Sequence, residues 1–194
     1  MSSELPKNRK FISTVNKFYK NNKESVLDIV LFGSSTKGKK VPNDIDILLL
    51  FKDTEDTDIA YELRKILKIF GKVQITTKTY SNMFDNKFMA RESYLSEGYS
   101  LIMKKRISSG LGYSSRTVFK YKLQGFNQSR RMQLQYALYG RGGKTGIVKE
   151  FGLEKFADTV FFCQTEKTEK FREFLDYWEI EYDVFPILLP KRMV

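Results

Sequence analysis

The stretch LFGSSTKGKKVPNDIDILLLF, from Leu31 to Phe51, decides how this chain is to be read. Two aspartates, Asp44 and Asp46, head a run as apolar as IDILLLF. A carboxylate moved into apolar surroundings is costly unless it is paired or coordinated. Side chains alternate across a strand, so Asp44 and Asp46 point one way while Ile45 and Ile47 point the other, into a core. Just upstream, SVLDIVLF over 25–32 is a strand that ends directly in Gly33 and Ser34. Glycine lets a backbone come close to a phosphate. A serine hydroxyl and neighbouring backbone N–H groups can then donate to phosphate oxygens. An acid pair that holds magnesium is a recurring solution for moving phosphoryl or nucleotidyl groups.

Composition narrows the chemistry further. The chain has 194 residues, 41% of them hydrophobic, enough for a core and against global disorder. A net charge of +11 and a pI near 9.6 favour an anionic partner, most simply a nucleotide or nucleic acid. A solvated lysine-rich surface would give the same charge. The chain has no histidine, which removes His general bases, Ser-His triads and His-based zinc sites. Any metal is then a hard cation held by oxygens, Mg²⁺ or Mn²⁺. The single cysteine, Cys163 in TVFFCQ, reads as a small apolar residue of a buried strand. No run reaches the length of a membrane span, and MSSELPKNRKF lacks the apolar centre of a signal peptide. The expectation is a cytoplasmic protein.

Around the central stretch, hydrophobic spacing predicts a helix over about 6–20, carried by Phe11, Ile12, Val15, Phe18 and Tyr19 and stopped at Asn21 and Asn22. Residues 33–43, with Gly38 and Pro42, form a turn between strands 25–32 and 44–51. KDTEDTD over 52–58 offers N-caps for a second helix marked by Ile59, Leu63, Ile66, Leu67 and Phe70 and ended by Gly71. KVQITTKTY, 72–80, alternates as a third strand, and a helix over 82–96 ends at Gly98. Residues 104–116, KKRISSGLGYSSR, have the composition of a turn or linker. Beyond it come strand 116–123, helix 128–139, a glycine-rich break, strand 158–164, helix 166–178 and strand 180–189. Pro186 gives that last strand an edge position. The expected fold class is α/β (α+β): a mixed sheet with flanking helices over 1–100, then a second, smaller α/β unit over 101–194.

Strand, Gly33-Ser34, internal Gly38, and Asp44-x-Asp46 leading a second strand together resemble the signature of the DNA polymerase beta-like nucleotidyltransferase superfamily in its minimal form. The resemblance spans about residues 25–80. It implies that Gly33 and Ser34 bind the triphosphate of an incoming nucleotide. It also implies that Asp44 and Asp46 are the catalytic carboxylates holding one or two magnesium ions. Lys37, Lys39 and Lys40 flank the loop and could steer a triphosphate or polynucleotide, Lys37 most directly. Active members carry a third carboxylate on the next strand, which binds the catalytic metal and activates the attacking hydroxyl. Here that position falls near Gln74, and nothing from Val73 to Tyr80 is acidic. Asp85 follows on the expected helix, and Asp53 and Asp28 are poorer placed. The departure bears on catalysis more than on fold, since general-base help contributes about 10²–10⁴ in rate.

In the second half, RGGKTG over 141–146 invites a Walker-type reading and fails it. The glycine required at Leu138 is missing, and the loop follows a helix. Arg141 and Lys144 remain possible phosphate contacts. Tyr113, Arg116, Phe119, Lys120, Tyr121 and Lys122, then Arg130 and Arg131, interleave basic and aromatic residues. Phe119 and Tyr121 share one strand face and Lys120 and Lys122 the other, a split of core against solvent. Their rings could stack bases, but the basic face suits nucleic-acid backbone better. Three functions fit: a nucleotidyltransferase moving a nucleoside monophosphate from an NTP to an acceptor hydroxyl with Mg²⁺ or Mn²⁺; a non-catalytic protein of that fold holding RNA or DNA; and an antitoxin-like partner, as some minimal members are.

Overall fold

The chain is described from a computed structural model over residues 5–39 and 44–193. Two sheets organise it. In the first, β1 (Val26–Phe32), β2 (Ile45–Phe51), β3 (Val73–Thr79), β4 (Tyr99–Ser100) and β5 (Lys105–Arg106) take the order β3-β2-β1-β4-β5. β2 and β3 run parallel and the other pairs antiparallel, so the sheet is mixed. In the second, β6 (Tyr113–Tyr121), β7 (Glu154–Ala157), β8 (Val160–Gln164) and β9 (Tyr182–Pro190) take the order β7-β8-β6-β9, antiparallel throughout. Pro186 therefore sits on an edge strand, where its missing N–H is tolerated. The fold class is mixed α/β, with a second antiparallel sheet and its helices following the first.

The first sheet is buried on both faces. Helices α1 (Arg9–Asn22) and α2 (Thr57–Leu67) lay Phe11, Val15, Phe18, Leu63 and Leu67 against Ile29, Leu31, Ile45, Ile47 and Leu49. The other face packs Val30, Phe32, Leu48 and Leu50 against Met83, Phe88 and Tyr94, the last from helix α3 (Arg91–Glu97). Each fully buried Leu or Phe contributes about 1.5–3 kcal/mol relative to exposure. The alternation of IDILLLF thus serves two cores, with Asp46 on the same face as Leu48 and Leu50. Asn8 starts α1 by accepting from Phe11 N, and Asp56 starts α2 by accepting from Asp58 N and Ile59 N. Helix α1 begins later than position 6, because its cap is Asn8 and Leu5–Lys7 form a separate 3₁₀ turn.

Two expectations need correction. The helix expected over 82–96 is instead a 3₁₀ turn at Asn82–Phe84 followed by α3 from Arg91. Asp85 breaks it: its backbone is extended, and its side chain accepts from Lys87 N, a local bond that competes with helix. The linker expected over 104–116 is structured. It supplies β5, the short helix α4 (Ile107–Gly110) and the start of β6. Pro42 and Lys40 lie outside the described residues.

The second sheet packs one face on helices α5 (Gln128–Tyr139) and α7 (Thr168–Tyr177). Phe119, Tyr121, Phe161 and Cys163 meet Leu134, Leu138, Phe171 and Leu175, with Val148 and Phe151 of the short α6 (Ile147–Phe151) at the margin. Cys163 is buried, and burial pushes its thiol up to about 12. The sequence did not signal β7 or α6, both short and without a clear hydrophobic period. Hydroxyls join the second sheet to α3: Ser115 Oγ, on β6, donates to the Ser96 carbonyl and lies 2.9 Å from Thr165 Oγ1 in the turn after β8. No helix among the described residues is long and apolar enough to cross a membrane.

Candidate active site

The backbone turns at the end of β1 with Gly33 at φ +70°, a left-handed conformation that glycine adopts without strain. A Cβ there would lie 2.5 Å from Asp46 Oδ2. Gly33 is therefore required twice, for the turn and for the approach of the carboxylate. Residues Gly33–Thr36 form a 3₁₀ turn, in which Thr36 Oγ1 donates to the Gly33 carbonyl at 2.9 Å. Ser35 Oγ donates to the Asp44 carbonyl at 3.3 Å, stitching the turn to the head of β2. Ser34 is half-buried on the same turn. Sheet register completes the arrangement: Phe32 of β1 and Gln74 of β3 flank Asp46.

Gly33, Ser34, Asp44 and Asp46 thus come to one end of the first sheet. Burial, and then the charge of Asp44, push the Asp46 carboxyl above the usual carboxylate range, while Lys72 pulls the other way. A half-buried acid raised by a second acid is the kind of group a divalent cation relieves, so the pair fits a hard cation on its oxygens. Among the described residues no cluster of three or more metal-ligating side chains occurs. Gln74 stands in register where a third acid would be expected, and its Nε2 donates to Asp44 Oδ2 at 2.5 Å. Lys72 Nζ is 3.8 Å from the same oxygen.

Lys37 has an occupied ammonium, 2.9 Å from Oε1 of the buried Glu97. Lys39 is half-buried nearby. Arg106, from the stretch expected to be a linker, reaches this loop as well. No local pattern could reveal it, because its acceptors are contributed by residues 36, 97 and 166.

The basic residues of the second half differ in what holds them. Lys120 and Lys122 are exposed. Arg130 donates to the Trp178 carbonyl at 2.8 Å and to Glu179 at 2.9 Å, with its guanidinium 4.2 Å from the Phe126 ring centroid. Arg131 donates to the carbonyls of Phe126 and Leu123. Arg141 lies over the Tyr136 ring at 4.5 Å, and Lys144 is exposed in the turn after α5. Phe119 and Tyr121 are core, which removes them as a stacking platform. The rings on the open face are others. Phe162 and Phe185 flank Val118 in register, and Phe156 stacks on Phe162 at 5.1 Å between centroids. Phe156 is 72% exposed and Phe185 51%. Sequence alternation could have separated Phe162 from Phe161, but not shown which of the two faces the helices cover.

This glycine turn, packed against the acidic head of a strand in a mixed sheet, fits the nucleotidyltransferase fold. The chain belongs to the nucleotidyltransferase domain family, which it matches over residues 9–133. A comparison with curated proteins finds none that matches. Among solved structures it is similar to a mutant of the MntA–HpeT toxin–antitoxin complex, at 22% identity and a TM-score of 0.37, over 46% of this chain and 71% of that one. It is also similar to a tri-AMPylated HEPN toxin from Shewanella oneidensis in complex with MNT antitoxin, at 23% and 0.34, over 46% and 67%. A toxin–antitoxin structure with AMP-PNP gives 25% and 0.37, over 46% and 71%.

Proposed function

We propose that this chain is an active nucleotidyltransferase that moves a nucleoside monophosphate from an NTP to an acceptor hydroxyl. The observation that carries this reading is the packing of Gly33 against Asp46, which brings the turn after β1 to the acidic head of β2. Gly33, Ser34 and Lys37 would hold the triphosphate, Lys37 by exchanging Glu97 for phosphate. Asp44 and Asp46 would hold Mg²⁺ or Mn²⁺, which when bound neutralises charge on the phosphates. The acceptor hydroxyl gives its proton to solvent as its oxygen bonds to the α-phosphorus, the bond from that phosphorus to the oxygen shared with the β-phosphate breaks, and pyrophosphate leaves. Such chemistry depends on positioning and charge stabilisation. Residues 1–100 would carry the nucleotide and 101–194 the acceptor.

A second reading is favoured by Gln74 and Lys72, which occupy Asp44 where catalysis would use a third acid. On that reading the fold binds single-stranded nucleic acid without transfer, through Phe156, Phe162 and Phe185 and the neighbouring Lys120. One experiment separates the two. The full chain is incubated with each labelled NTP, Mg²⁺ or Mn²⁺, and RNA, DNA and protein acceptors. Transfer that disappears in Asp44→Ala/Asp46→Ala supports the enzyme. No transfer, with salt-sensitive nucleic-acid binding that survives both substitutions, supports the second reading.

A further inference from the structure

The loop assigned to the triphosphate is gripped at three successive residues. At Thr36, the carbonyl accepts from Arg106 Nη2 at 3.1 Å. At Lys37, the ammonium meets Glu97 and the carbonyl accepts from Glu169 N at 3.2 Å, in the first turn of α7. At Gly38, with φ +87°, a Cβ would lie 2.1 Å from the Glu166 carbonyl, so the two backbones are in direct contact. Arg106 links these points. Its Nη1 donates to the Glu97 carbonyl at 3.0 Å, and its Nε pairs with Glu166 Oε1 at 2.6 Å. The arginine side chain is only 13% exposed. A planar guanidinium can make three such bonds in fixed directions at once, which a lysine ammonium on a flexible stem cannot.

We propose that Arg106 is a positioning residue for the phosphate loop, and that through Glu166 it ties the posture of that loop to the second sheet. The proposal rests on reading Gly33–Lys37 as the triphosphate loop. The geometry also gives a second reason for Gly38. The resemblance explains it only as a pattern position, whereas here it is the point where the segment between β8 and α7 lies on the loop. The nucleotide turn is therefore completed from the second half of the chain. A loop displaced by about 1 Å loses up to about 10²-fold in rate in a reaction that depends on positioning.

The test uses the full chain with Arg106→Ala, Arg106→Lys and the milder Glu166→Gln, with amide hydrogen exchange and MgATP and MgGTP titrations. In Arg106→Ala, exchange at residues 34–39 should rise about tenfold or more, while amides of β2 keep their protection, because local opening sets the exchange rate. The better-bound nucleotide should weaken about tenfold, and in any transfer assay KM for the NTP should rise more than kcat falls. Arg106→Lys should restore little of either, and Glu166→Gln should lie between wild type and Arg106→Ala. Unchanged exchange at 34–39 in a folded Arg106→Ala chain would overturn the proposal. So would raised exchange with unchanged nucleotide affinity, or full rescue by lysine. If the wild-type chain binds neither nucleotide, MgCTP and MgUTP are titrated as well, and binding of none of the four overturns the triphosphate reading and with it the positioning role. The exchange data then still report whether Arg106 holds the loop.

Discussion

The two sheets handle their exposed chemistry in opposite ways. The first is buried on both faces, and Gly33, Asp44 and Asp46 meet at one end of it. The second is buried on one face and leaves the other open, with Phe156, Phe162 and Phe185 outside the core clusters of the described residues. A site that must hold two like charges close together needs rigid walls, because neither carboxylate can be allowed to swing away. A surface that receives an extended partner needs area instead. On the proposed function, group transfer falls to the end of the doubly covered sheet, and on the second reading recognition falls to the uncovered face of the other.

The sharpest way to break that comparison is Asp46→Asn. It keeps shape and removes one charge, so transfer should fall by about 10³ or more, the scale of losing several kcal/mol of charge stabilisation at a metal site. Stability should hold or rise slightly, because the Asp46 carboxyl is disfavoured by burial and by Asp44. Transfer rate and thermal midpoint measured on the same preparation check both halves. A loss of fold along with activity would make Asp46 a structural residue.

The second test contrasts neighbours in one sheet. Phe161 is 0% exposed and packs edge-on to Phe171, whereas Phe156 is 72% exposed. Phe161→Ala should cost about 3–5 kcal/mol in urea unfolding, the usual range for a buried phenylalanine. Phe156→Ala should stay within about 0.5 kcal/mol, as surface changes do. It should weaken single-stranded nucleic-acid binding by about 1–3 kcal/mol if the ring stacks on a base.

Much of this contrast could be read from sequence, and the missing part has a common cause. IDILLLF, with the Gly33-Ser34 turn before it, identified the strands, the turn and the acid pair, because local period and turn chemistry determine all three. Phe119 and Tyr121 were separable from Lys120 and Lys122 by alternation alone. Arg106 was not legible, since its partners lie far away along the chain. The open face of the second sheet was not legible either, since exposure depends on which elements fail to cover it. Asp85 shows a different limit: a single side chain bonding its own backbone overrode a helical pattern. At Gln74 the sequence raised the question of a missing acid, and register shows what local pattern could not, that this glutamine pairs with Asp46 across the sheet.

Gln74→Glu therefore tests how far the first sheet's acidic end depends on its amide. The substitution puts a carboxylate where Nε2 now donates to Asp44. Without divalent cation the chain should be less stable than wild type. With Mg²⁺ the order should reverse, because a third acid strengthens a hard-cation site. Transfer should rise by up to about 10²-fold if the new carboxylate serves as a base. Thermal midpoints with Mg²⁺ and with chelator decide it, and a shift independent of the cation would show that no metal sits on these oxygens.

The smallest effect is expected at the other end of β1. Asp28 is 4% exposed, and its side chain accepts from Ile29 N and Ser100 Oγ. Burial pushes its carboxyl above the usual range, with both hydrogen bonds opposing. A carboxyl raised in the folded state favours folding while it is protonated, and that advantage is lost as pH climbs through the folded value. Asp28→Asn keeps an oxygen to accept both hydrogen bonds and cannot ionise. It should match wild type at acidic pH and become the more stable of the two toward neutral pH, with each ~1 kcal/mol appearing as about 2–4 °C in Tm. A difference that does not grow with pH would mean that Asp28 is held as an anion. Both ends of β1 would then carry charge into the sheet, and the contrast between a charged working end and a neutral interior would no longer hold.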